Sequence, residues 1–356
     1  MRLAEVVDAF RSDLEARYGA RLLPGHRKAL SAILRCRTEV SGCAEIYCPA
    51  CNTRDRFPLS CGHRACPCCQ FATAQQWLDR QRAKRLPCDY FLVTFTLPAQ
   101  LRSLVFSHQR VAYDLLLKLA WQTLSEFGMR DPKLAGRMGA TAVLHTHSRA
   151  LDFHPHVHIV VPAGAVDATH RLWRAKRGKF LFPQTALAKV FRGKWFQTMA
   201  DQGWRVPTTI PDQWVVDCKR VGNGDKALIY LGRYLYRGVL REKDIIGVQG
   251  KVVLFRYVDS SGATKTRSLE GADFLWLLMQ HVLPKGFRRT RDYGFLHANA
   301  KRIIRIVQWL FRIARPAPSR RPPLCCKECG HVLRVSVFPQ PRKPPRRMGA
   351  VMEGIA

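Results

Sequence analysis

Closely spaced histidines form the first group of residues that could do chemistry, in the segments AVLHTH (142–147) and LDFHPHVHIVVP (151–162). Side chains alternate along a strand, so a strand in the second segment places His156 and His158 on one face. A hairpin between the two segments puts His145 opposite His156, and three imidazoles then converge. Convergent imidazoles can hold a divalent metal with open coordination positions. Taken alone, the His-x-His pair also fits histidines that are satisfied by surface hydrogen bonds.

Two tyrosines form the second group, within the segment GDKALIYLGRYLYRG (224–238). The segment predicts a helix that starts at Asp225 as its N-cap and closes at Gly238. Tyr230 and Tyr234 are four residues apart and therefore share one face of that helix. A phenol can attack a phosphodiester once it is activated and the phosphate charge is neutralised. A buried aromatic stripe produces the same spacing, and that alternative stays open.

Basic side chains accompany the tyrosines on the same predicted helix. Lys226 lies one turn before Tyr230, and Arg233 and Arg237 each follow one of the tyrosines by three residues. Their positive charge is what a phosphate group beside the tyrosines would require. We therefore interpret Lys226, Arg233 and Arg237 as DNA-binding residues.

Cysteine pairs form the third group. Cys48-x2-Cys51 and Cys66-x2-Cys69 are separated by 14 residues, and each pair can direct two thiolates at one ion. Two such turns complete a tetrahedral four-sulfur zinc site, with Cys61 as a further candidate ligand. A site with four protein ligands has no open position, which indicates a structural role. Free cysteines and a redox pair are the alternatives.

A further pair, Cys326-x2-Cys329, lies near the C-terminus with Cys325 and His331 beside it. No second Cys-x2-Cys pair follows it in the sequence. A vestigial knuckle and a real metal site are therefore both open interpretations. The neighbouring stretches RPAPSRRPP and PQPRKPPRR are rich in Pro and Arg and predict a flexible tail.

Composition narrows the class of protein. Of 356 residues, 47% are hydrophobic, which allows a large core without disulfides and excludes a disordered chain. Lys and Arg number 59 against 26 Asp and Glu, and the net charge of +33 favours nucleic acid over an anionic membrane as partner. No stretch approaches the ~20 apolar residues of a membrane span, and the N-terminus lacks the apolar region of a signal peptide. We expect a cytoplasmic protein whose 13 cysteines are reduced or metal-bound.

The hydrophobic pattern predicts the strands and helices that position the histidines and tyrosines. The segment YFLVTFTL (90–97) is aromatic and β-branched and predicts a strand, as do residues 141–147 and 156–161. Helical periodicity covers residues 99–130 and 185–202. The histidines therefore lie on predicted strands and the tyrosines on a predicted helix.

Together these segments resemble the HUH endonuclease superfamily and, more narrowly, the rolling-circle transposases of the insertion sequence 91 family. The resemblance covers nearly the whole chain and rests on several runs in the family's order. These are SCGHRACPCCQ (60–70), YFLVTFTLPAQLR (90–102), AVLHT (142–146), HPHVHIVVPAG (154–164), YLGRYLYR (230–237) and HVLPKGFRRTRDYG (281–294). The family typically continues Trp-Gly-Gln after AVLHT, whereas this chain has His147, Ser148 and Arg149.

The resemblance implies an α+β fold, in which a central antiparallel sheet with flanking helices carries the histidine pair and the tyrosine helix packs beside it. It also implies a small N-terminal zinc-binding module. We therefore expect a helical and zinc-binding N-terminal domain at residues 1–88 and a tyrosine transposase catalytic domain at 89–314. A flexible Pro/Arg-rich tail that carries the C-terminal knuckle would occupy residues 315–356.

The same resemblance implies a role for each site residue. His156 and His158 would hold Mg²⁺ or Mn²⁺. The resemblance leaves the third ligand open, and we favour His145, with Asp152 as the next choice. The two tyrosines would attack single-stranded DNA and leave a 5′-phosphotyrosine bond and a free 3′-OH. Zn²⁺ would be structural and would belong to the N-terminal module.

The expected function is that of a transposase that nicks and rejoins single-stranded DNA at insertion-element ends during rolling-circle transposition. Its partners would be the transposon ends and the target DNA, without a membrane. It would act in the bacterial cytoplasm and on the nucleoid when bound to DNA. A non-catalytic zinc-containing DNA-binding protein is one alternative, although it has no use for the histidine and tyrosine pairs. A replication initiator or relaxase with the same chemistry is the other.

Overall fold

The chain divides into two compact units, and the smaller one combines described residues 35–61 with 323–338. The larger unit holds the described residues of 1–34 and 62–313. The sequence instead predicts boundaries at residues 88 and 314, because local composition does not reveal that distant segments pair. The computed structural model describes residues 1–236, 239–259, 261–313 and 323–338, apart from the side chains of Tyr234 and Tyr236.

The described residues form helices and strands in the following chain order. The helices are α1 (Leu3–Tyr18), α2 (Pro24–Arg35), α3 (Phe71–Arg82), α4 (Arg102–Ser107), α5 (Gln109–Arg130), α6 (Gln184–Asp201), α7 (Asp225–Tyr236), α8 (Gly271–Met279) and α9 (Lys301–Leu310). The strands are β1 (Cys43–Tyr47), β2 (Arg54–Pro58), β3 (Tyr90–Thr96), β4 (Gly139–His147), β5 (Phe153–Pro162), β6 (Gly164–Asp167), β7 (Leu172–Ala175), β8 (Val216–Arg220), β9 (Ile245–Gln249), β10 (Val252–Val258), β11 (Thr264–Glu270), β12 (Thr290–Gly294) and β13 (Arg334–Phe338).

A five-stranded antiparallel sheet forms the centre of the larger unit, in the order β12–β4–β5–β3–β8. Strands β4 and β5 are the hairpin that the sequence predicts, and their register places His145 opposite His156. On the other side of β5, His158 lies opposite Thr94 of β3. Helices pack on both faces of this sheet, and the predicted α+β class is confirmed.

One face of the central sheet packs against α5 and α6. Phe95 and Val157 of the sheet are buried in a cluster with Phe191 of α6, whose ring centroid lies 4.9 Å from that of Phe95. Burial of each such side chain stabilises the fold by about 1.5–3 kcal/mol. Because side chains alternate along β5, an inward Val157 leaves the flanking histidines on the opposite face.

That opposite face receives α7. Leu228 and Leu231 of α7 are buried against Val143 of β4 and Val160 of β5, in a cluster that also includes Trp77 of α3. The buried leucines follow helical spacing, so one stripe of α7 is fixed on the sheet. This packing sets where the remaining side chains of α7 stand relative to the histidines.

An ion pair fixes the start of α7 to α3. The Arg82 guanidinium donates to both carboxylate oxygens of Asp225 at 2.8 Å each, and Arg85 lies 3.2 Å from the same carboxylate. The hydrogen bonds from Arg82 lower the pKa of Asp225 below its ordinary value. A bidentate arginine–carboxylate pair adds geometric specificity. The helix begins at the predicted residue, but Asp225 is its first helical residue and not its N-cap, because its carboxylate pairs with Arg82. The predicted end at Gly238 lies outside the described residues.

Gly224, directly before α7, gives a prediction on stability. Its φ is +77°, and a Cβ atom there would lie 2.7 Å from the buried ring of Tyr90. We expect Gly224→Ala to lower the free energy of unfolding by about 3 kcal/mol, because strain and a core clash add. Urea unfolding followed by tryptophan fluorescence measures the change.

Gly222→Ala is the matched control for that measurement. Gly222 has a φ of +57°, but a Cβ atom there meets nothing within 4 Å. We expect this variant to lose about 1 kcal/mol from backbone strain alone. Equal losses in the two variants would contradict the proposed clash with Tyr90.

Outside the central sheet, the larger unit contains a three-stranded sheet, β11–β10–β9, and a two-stranded ribbon, β6–β7. The end of β10 lies beside the histidine face of the central sheet, where Tyr257 borders the same cleft as His156. Among the residues that the structure describes, no helix has both the length and the hydropathy that a membrane crossing requires.

The smaller unit is built on a three-stranded antiparallel sheet, in the order β13–β1–β2. Strand β13 pairs with β1 along its whole length, from Phe338 opposite Cys43 to Arg334 opposite Tyr47. The sequence predicts a flexible tail from residue 315, but residues 334–338 form a strand. The reason is that β1 supplies a hydrogen-bonding edge, which the local Pro/Arg-rich composition does not reveal.

Candidate active site

Three histidines converge on the face of the central sheet that carries α7. His145 comes from β4, and His156 and His158 come from β5. One ring nitrogen of each lies within 4.8 Å of the other two, and the ring centroids are 4.5 to 5.2 Å apart. The register of the β4–β5 hairpin thus produces the three-imidazole arrangement that the sequence predicts.

Hydrogen bonds orient two of these rings. Nδ1 of His156 donates to the carbonyl oxygen of His154 at 2.6 Å, so its Nε2 carries the free lone pair of a neutral ring. Nδ1 of His158 lies 2.8 Å from the hydroxyl oxygen of Thr94, and donation to that oxygen leaves Nε2 in the same state. Such second partners are what fix a metal-binding imidazole in place. The role of Thr94 escapes the sequence, because only the β3–β5 register reveals it.

Burial keeps the three imidazoles neutral. It lowers the pKa of His156 to about 4. Burial, followed by the charge of His156, lowers the pKa of His158 to about 3. The pKa of His145 lies well below its ordinary value because of burial and then the nearby His158 and His156. Neutral imidazole is the form that binds metal ions, so the donor set fits a divalent cation.

Tyr230 stands beside this histidine cluster on α7. Its ring centroid lies 6.1 Å from that of His158 and 6.4 Å from that of His145. The ring is half-buried and borders the same cleft as the histidines. Tyr234 follows one turn later in α7, and its side chain lies outside the described part of the structure.

An open cleft of about 420 Å³ borders the histidines and Tyr230. Arg149 lines this cleft, at one of the positions where the chain departs from the Trp-Gly-Gln pattern. Arg233 is exposed and borders an adjoining cleft that also includes Tyr230. Lys226 is exposed on the first turn of α7, and Arg237 lies outside the described residues. The described basic residues are therefore open to a polyanionic ligand.

Asp152, the second choice for a third metal ligand, has another partner. Its Oδ1 accepts a hydrogen bond from Arg267 at 2.8 Å, and Ser148 lies 3.2 Å from its Oδ2. Among the described residues, the ligand group around the histidines contains no carboxylate. His145 rather than Asp152 therefore lies with His156 and His158 in the group that could hold an ion.

A second buried histidine pair lies next to this group and escapes the sequence reading. The ring centroids of His147 and His281 are 5.2 Å apart, and both side chains are buried. Nε2 of His281 lies 2.9 Å from the carbonyl oxygen of Leu151. Burial lowers the pKa of His281 to about 4 and the pKa of His147 well below its ordinary value, so both rings are neutral. His147 also lines the cleft beside the three histidines.

Four cysteines come together in the smaller unit. Their Sγ atoms all lie within 4.8 Å of one another, and they belong to Cys48, Cys51, Cys326 and Cys329. Backbone N–H groups of Cys329 and Glu328 lower the pKa of the Cys326 thiol to about 7. The predicted N-terminal cysteine module therefore includes the C-terminal knuckle.

This arrangement replaces the predicted pairing of Cys48 and Cys51 with Cys66 and Cys69. Cys66, which is buried, and Cys69 belong to the larger unit, whereas Cys61 belongs to the smaller one. Nearness in sequence does not decide which knuckles meet, because the pairing of β1 with β13 brings the distant knuckle to Cys48.

Two protein-family models match the chain, one over the histidine and tyrosine region and one over the N-terminal cysteines. Residues 139–303 match the family model described as "Putative transposase". Residues 6–97 match the model described as "Transposase zinc-binding domain". The first match includes the three histidines and both tyrosines, and the second includes the first Cys-x2-Cys pairs.

Two curated proteins are similar to the chain over most of its length. The chain is 32% identical over 345 residues to "Putative transposase y4qJ" of Sinorhizobium fredii (strain NBRC 101917 / NGR234), covering 88% of this chain and 86% of that protein. It is 29% identical over 296 residues to the transposase for insertion sequence element IS801 of Pseudomonas savastanoi pv. phaseolicola, covering 76% of this chain and 70% of that protein. No solved structure matches the chain.

Proposed function

This chain belongs to the insertion sequence 91 family of transposases, with an N-terminal zinc-binding domain, and we propose that it cuts and rejoins single-stranded DNA through a covalent tyrosine–DNA bond. One observation carries the proposal. The ring of Tyr230 lies 6.1 Å from that of His158, at the edge of a cluster of three neutral imidazoles. A nucleophile and a metal-binding group thus face one open cleft.

The proposed cleavage step is a transesterification. The phenolic oxygen of Tyr230 attacks the phosphorus of the scissile phosphodiester and loses its proton. The bond between phosphorus and the 3′ oxygen breaks, and that oxygen leaves as a 3′-OH after it takes up a proton. The 5′ phosphate stays bonded to Tyr230. Because one phosphoester replaces another, the bond energy is retained, and the reverse attack by a 3′-OH rejoins DNA without ATP.

His145, His156 and His158 would hold the divalent cation. When bound, Mg²⁺ or Mn²⁺ polarises the scissile phosphate and offsets the charge that develops on it. Nitrogen ligands favour Mn²⁺ over Mg²⁺, which prefers oxygen. The Nδ1 contacts of the His156 and His158 rings leave their Nε2 atoms available as ligands.

Tyr234 would supply a second nucleophile one turn along α7. Two tyrosines allow two strand ends to be held in turn, because a 3′-OH that is released at one tyrosine can attack the phosphate held by the other. Rolling-circle transposition would use the two tyrosines in turn, first to cut at the element ends and then to join the element to the target DNA.

A covalent-adduct assay tests the proposal. Single-stranded element-end DNA is incubated with the protein and Mn²⁺ and then separated on a denaturing gel. We expect a 3′-labelled strand to migrate with the protein, because the 5′ phosphate at the cut stays bound to tyrosine. The same strand labelled at its 5′ end should yield a shorter free product that a polymerase extends from its 3′-OH.

Three other outcomes would count against the proposal. Specific binding of element ends without any nick would favour the non-catalytic DNA-binding alternative. Nicking without a protein-linked 3′ label would indicate hydrolysis by water. Adduct formation on a plasmid origin, but not on element ends, would favour a replication initiator or relaxase with the same chemistry.

Salt dependence of DNA binding gives a further prediction. The net charge of +33 and the exposed Lys226 and Arg233 favour binding through phosphates. For about six to eight phosphate contacts, we expect the Kd for a single-stranded oligonucleotide to rise roughly 10²–10³-fold between about 50 and 200 mM salt. Fluorescence anisotropy at several salt concentrations measures the slope.

Charge-removing variants resolve which residues contribute to that slope. Lys226→Ala and Arg233→Ala should each lower it by about 1. Lys133→Ala is the control, because Lys133 is exposed and does not line the cleft. A slope near zero in the wild-type protein, or an equal decrease in all three variants, would contradict phosphate binding at α7.

A further inference from the structure

We propose that Cys48, Cys51, Cys326 and Cys329 hold one structural Zn²⁺ that closes the two ends of the chain into a single zinc-binding unit. The family model for the zinc-binding domain ends at residue 97, so it does not reach the second pair of ligands. In this proposal, the C-terminal knuckle supplies two of the four zinc ligands and is not a vestige.

Distances between the sulfur atoms fit a tetrahedral zinc site. A Zn–S bond of about 2.3 Å places the sulfurs of a tetrahedron about 3.8 Å apart. The Sγ atoms of Cys48 and Cys329 are 3.6 Å apart, and those of Cys51 and Cys326 are 4.0 Å apart. Both distances are far longer than the ~2.05 Å of a disulfide. The four thiols therefore face a common centre, as separate ligands.

Backbone geometry makes the two knuckles equivalent. The N–H of Cys48 donates to the carbonyl of Thr53 at 2.9 Å, and the N–H of Cys326 donates to that of His331 at 2.8 Å. Both bonds span five residues from the first cysteine of the pair. The fourth residue after each first cysteine has a positive φ, +56° at Asn52 and +72° at Gly330.

This repeated turn gives the knuckle of CPACNT and that of CKECGH the same path around the site. The first follows β1 directly, and the second shortly precedes β13, which pairs with β1. The pairing of β1 with β13 therefore brings the two knuckles together, in agreement with the short distances between their sulfur atoms. Two turns of one geometry, on neighbouring strands, are what a four-thiolate zinc site requires.

The smaller unit has little else to hold it together. Among its described residues, 35–61 and 323–338, only Cys48 is buried. A unit this small, without an apolar core, depends on a metal or a disulfide for stability. Cys48, Cys51, Cys326 and Cys329 form no disulfide, so a metal is what remains.

Zinc content of the purified full-length protein tests the assignment. We expect Cys326→Ser/Cys329→Ser to contain one zinc equivalent fewer than the wild-type protein, as measured by elemental analysis. Cys325→Ser is the matched control, because its thiol is exposed, lies next to the knuckle and is outside the ligand group. An unchanged zinc content in the double variant, or an equal loss in Cys325→Ser, would overturn the proposal.

Thiol alkylation of the wild-type protein provides a test that needs no variant. Iodoacetamide should label Cys325 at once, whereas the four ligands should be labelled only after a chelator removes zinc. Peptide mass spectrometry identifies each site. Rapid labelling of Cys326 and Cys329 in the zinc-loaded protein would overturn the assignment. Neither measurement involves DNA, so the outcome is independent of the proposed strand cleavage.

Discussion

Replacement of both Tyr230 and Tyr234 with phenylalanine should reduce covalent adduct formation by at least about 10⁴-fold, to below detection. The substitution removes the two phenolic oxygens and keeps the rings, so the packing of α7 on the sheet is retained. Without a phenol, the 5′ phosphate has no atom of the enzyme to which it can bond. The assay is the denaturing gel with 3′-labelled element-end DNA and Mn²⁺, with DNA binding measured in parallel.

Single variants assign the roles of the two tyrosines. Tyr230→Phe should remove the adduct that forms first, because its ring stands beside His145 and His158. Tyr293→Phe is the control, since its half-buried ring stacks on Trp121 with centroids 5.1 Å apart, an arrangement that phenylalanine preserves. Full adduct formation in Tyr230→Phe would contradict its assignment as the first nucleophile.

The histidine arrangement is the part of the structure that the sequence predicts best. Alternation along β5 fixes that His156 and His158 share a face, and the short link to β4 restricts the hairpin register that brings His145 opposite His156. Thr94 shows where this reasoning stops. Strand β3 is evident from its composition, but its neighbour and register in the sheet depend on packing between segments far apart in the chain.

The position of the tyrosine helix is predicted from the sequence, but its surroundings are not. Leu228 and Leu231 are three residues apart and share one face of the helix, yet nothing in that spacing names Val143 and Val160 as the residues they pack against. The same holds for Asp225, whose bidentate pairing with Arg82 joins two helices that lie far apart in sequence. Side chains that orient a site are local in space and not in sequence.

The cysteine pairs that meet in the structure differ from those that the sequence predicts. Short separation favours Cys66 and Cys69 as partners of Cys48, but the structure brings in Cys326. The entropy cost of closing a loop grows only with the logarithm of its length, so a distant knuckle is not excluded by distance along the chain. Pairing of β13 with β1 decides the outcome, and the Pro/Arg-rich composition around β13 conceals that strand.

Loss of two of the three imidazoles should strongly weaken metal binding at the cleft that Tyr230 borders. We expect His156→Ala/His158→Ala to weaken Mn²⁺ binding at least about 100-fold and to slow adduct formation by about 10³-fold or more. Two of three nitrogen ligands are removed, while His145 remains on β4. Isothermal titration of Mn²⁺ without DNA measures affinity, and the adduct assay at rising Mn²⁺ concentration measures cleavage. His170→Ala is the control, because His170 is exposed and pairs with Asp167.

Thr94→Val separates a positioning role from ligation. The change removes the hydroxyl that lies 2.8 Å from Nδ1 of His158 and nearly conserves side-chain volume, so the ring keeps its place but loses the partner that fixes its tautomer. We expect Mn²⁺ affinity to fall about 10–100-fold, and a high Mn²⁺ concentration to restore adduct formation. The double histidine variant should show no such rescue.

If Thr94→Val behaved like that variant at every Mn²⁺ concentration, Thr94 would be needed for more than the orientation of His158. If it behaved like the wild-type protein, the His158 ring would be fixed by the packing of the sheet alone.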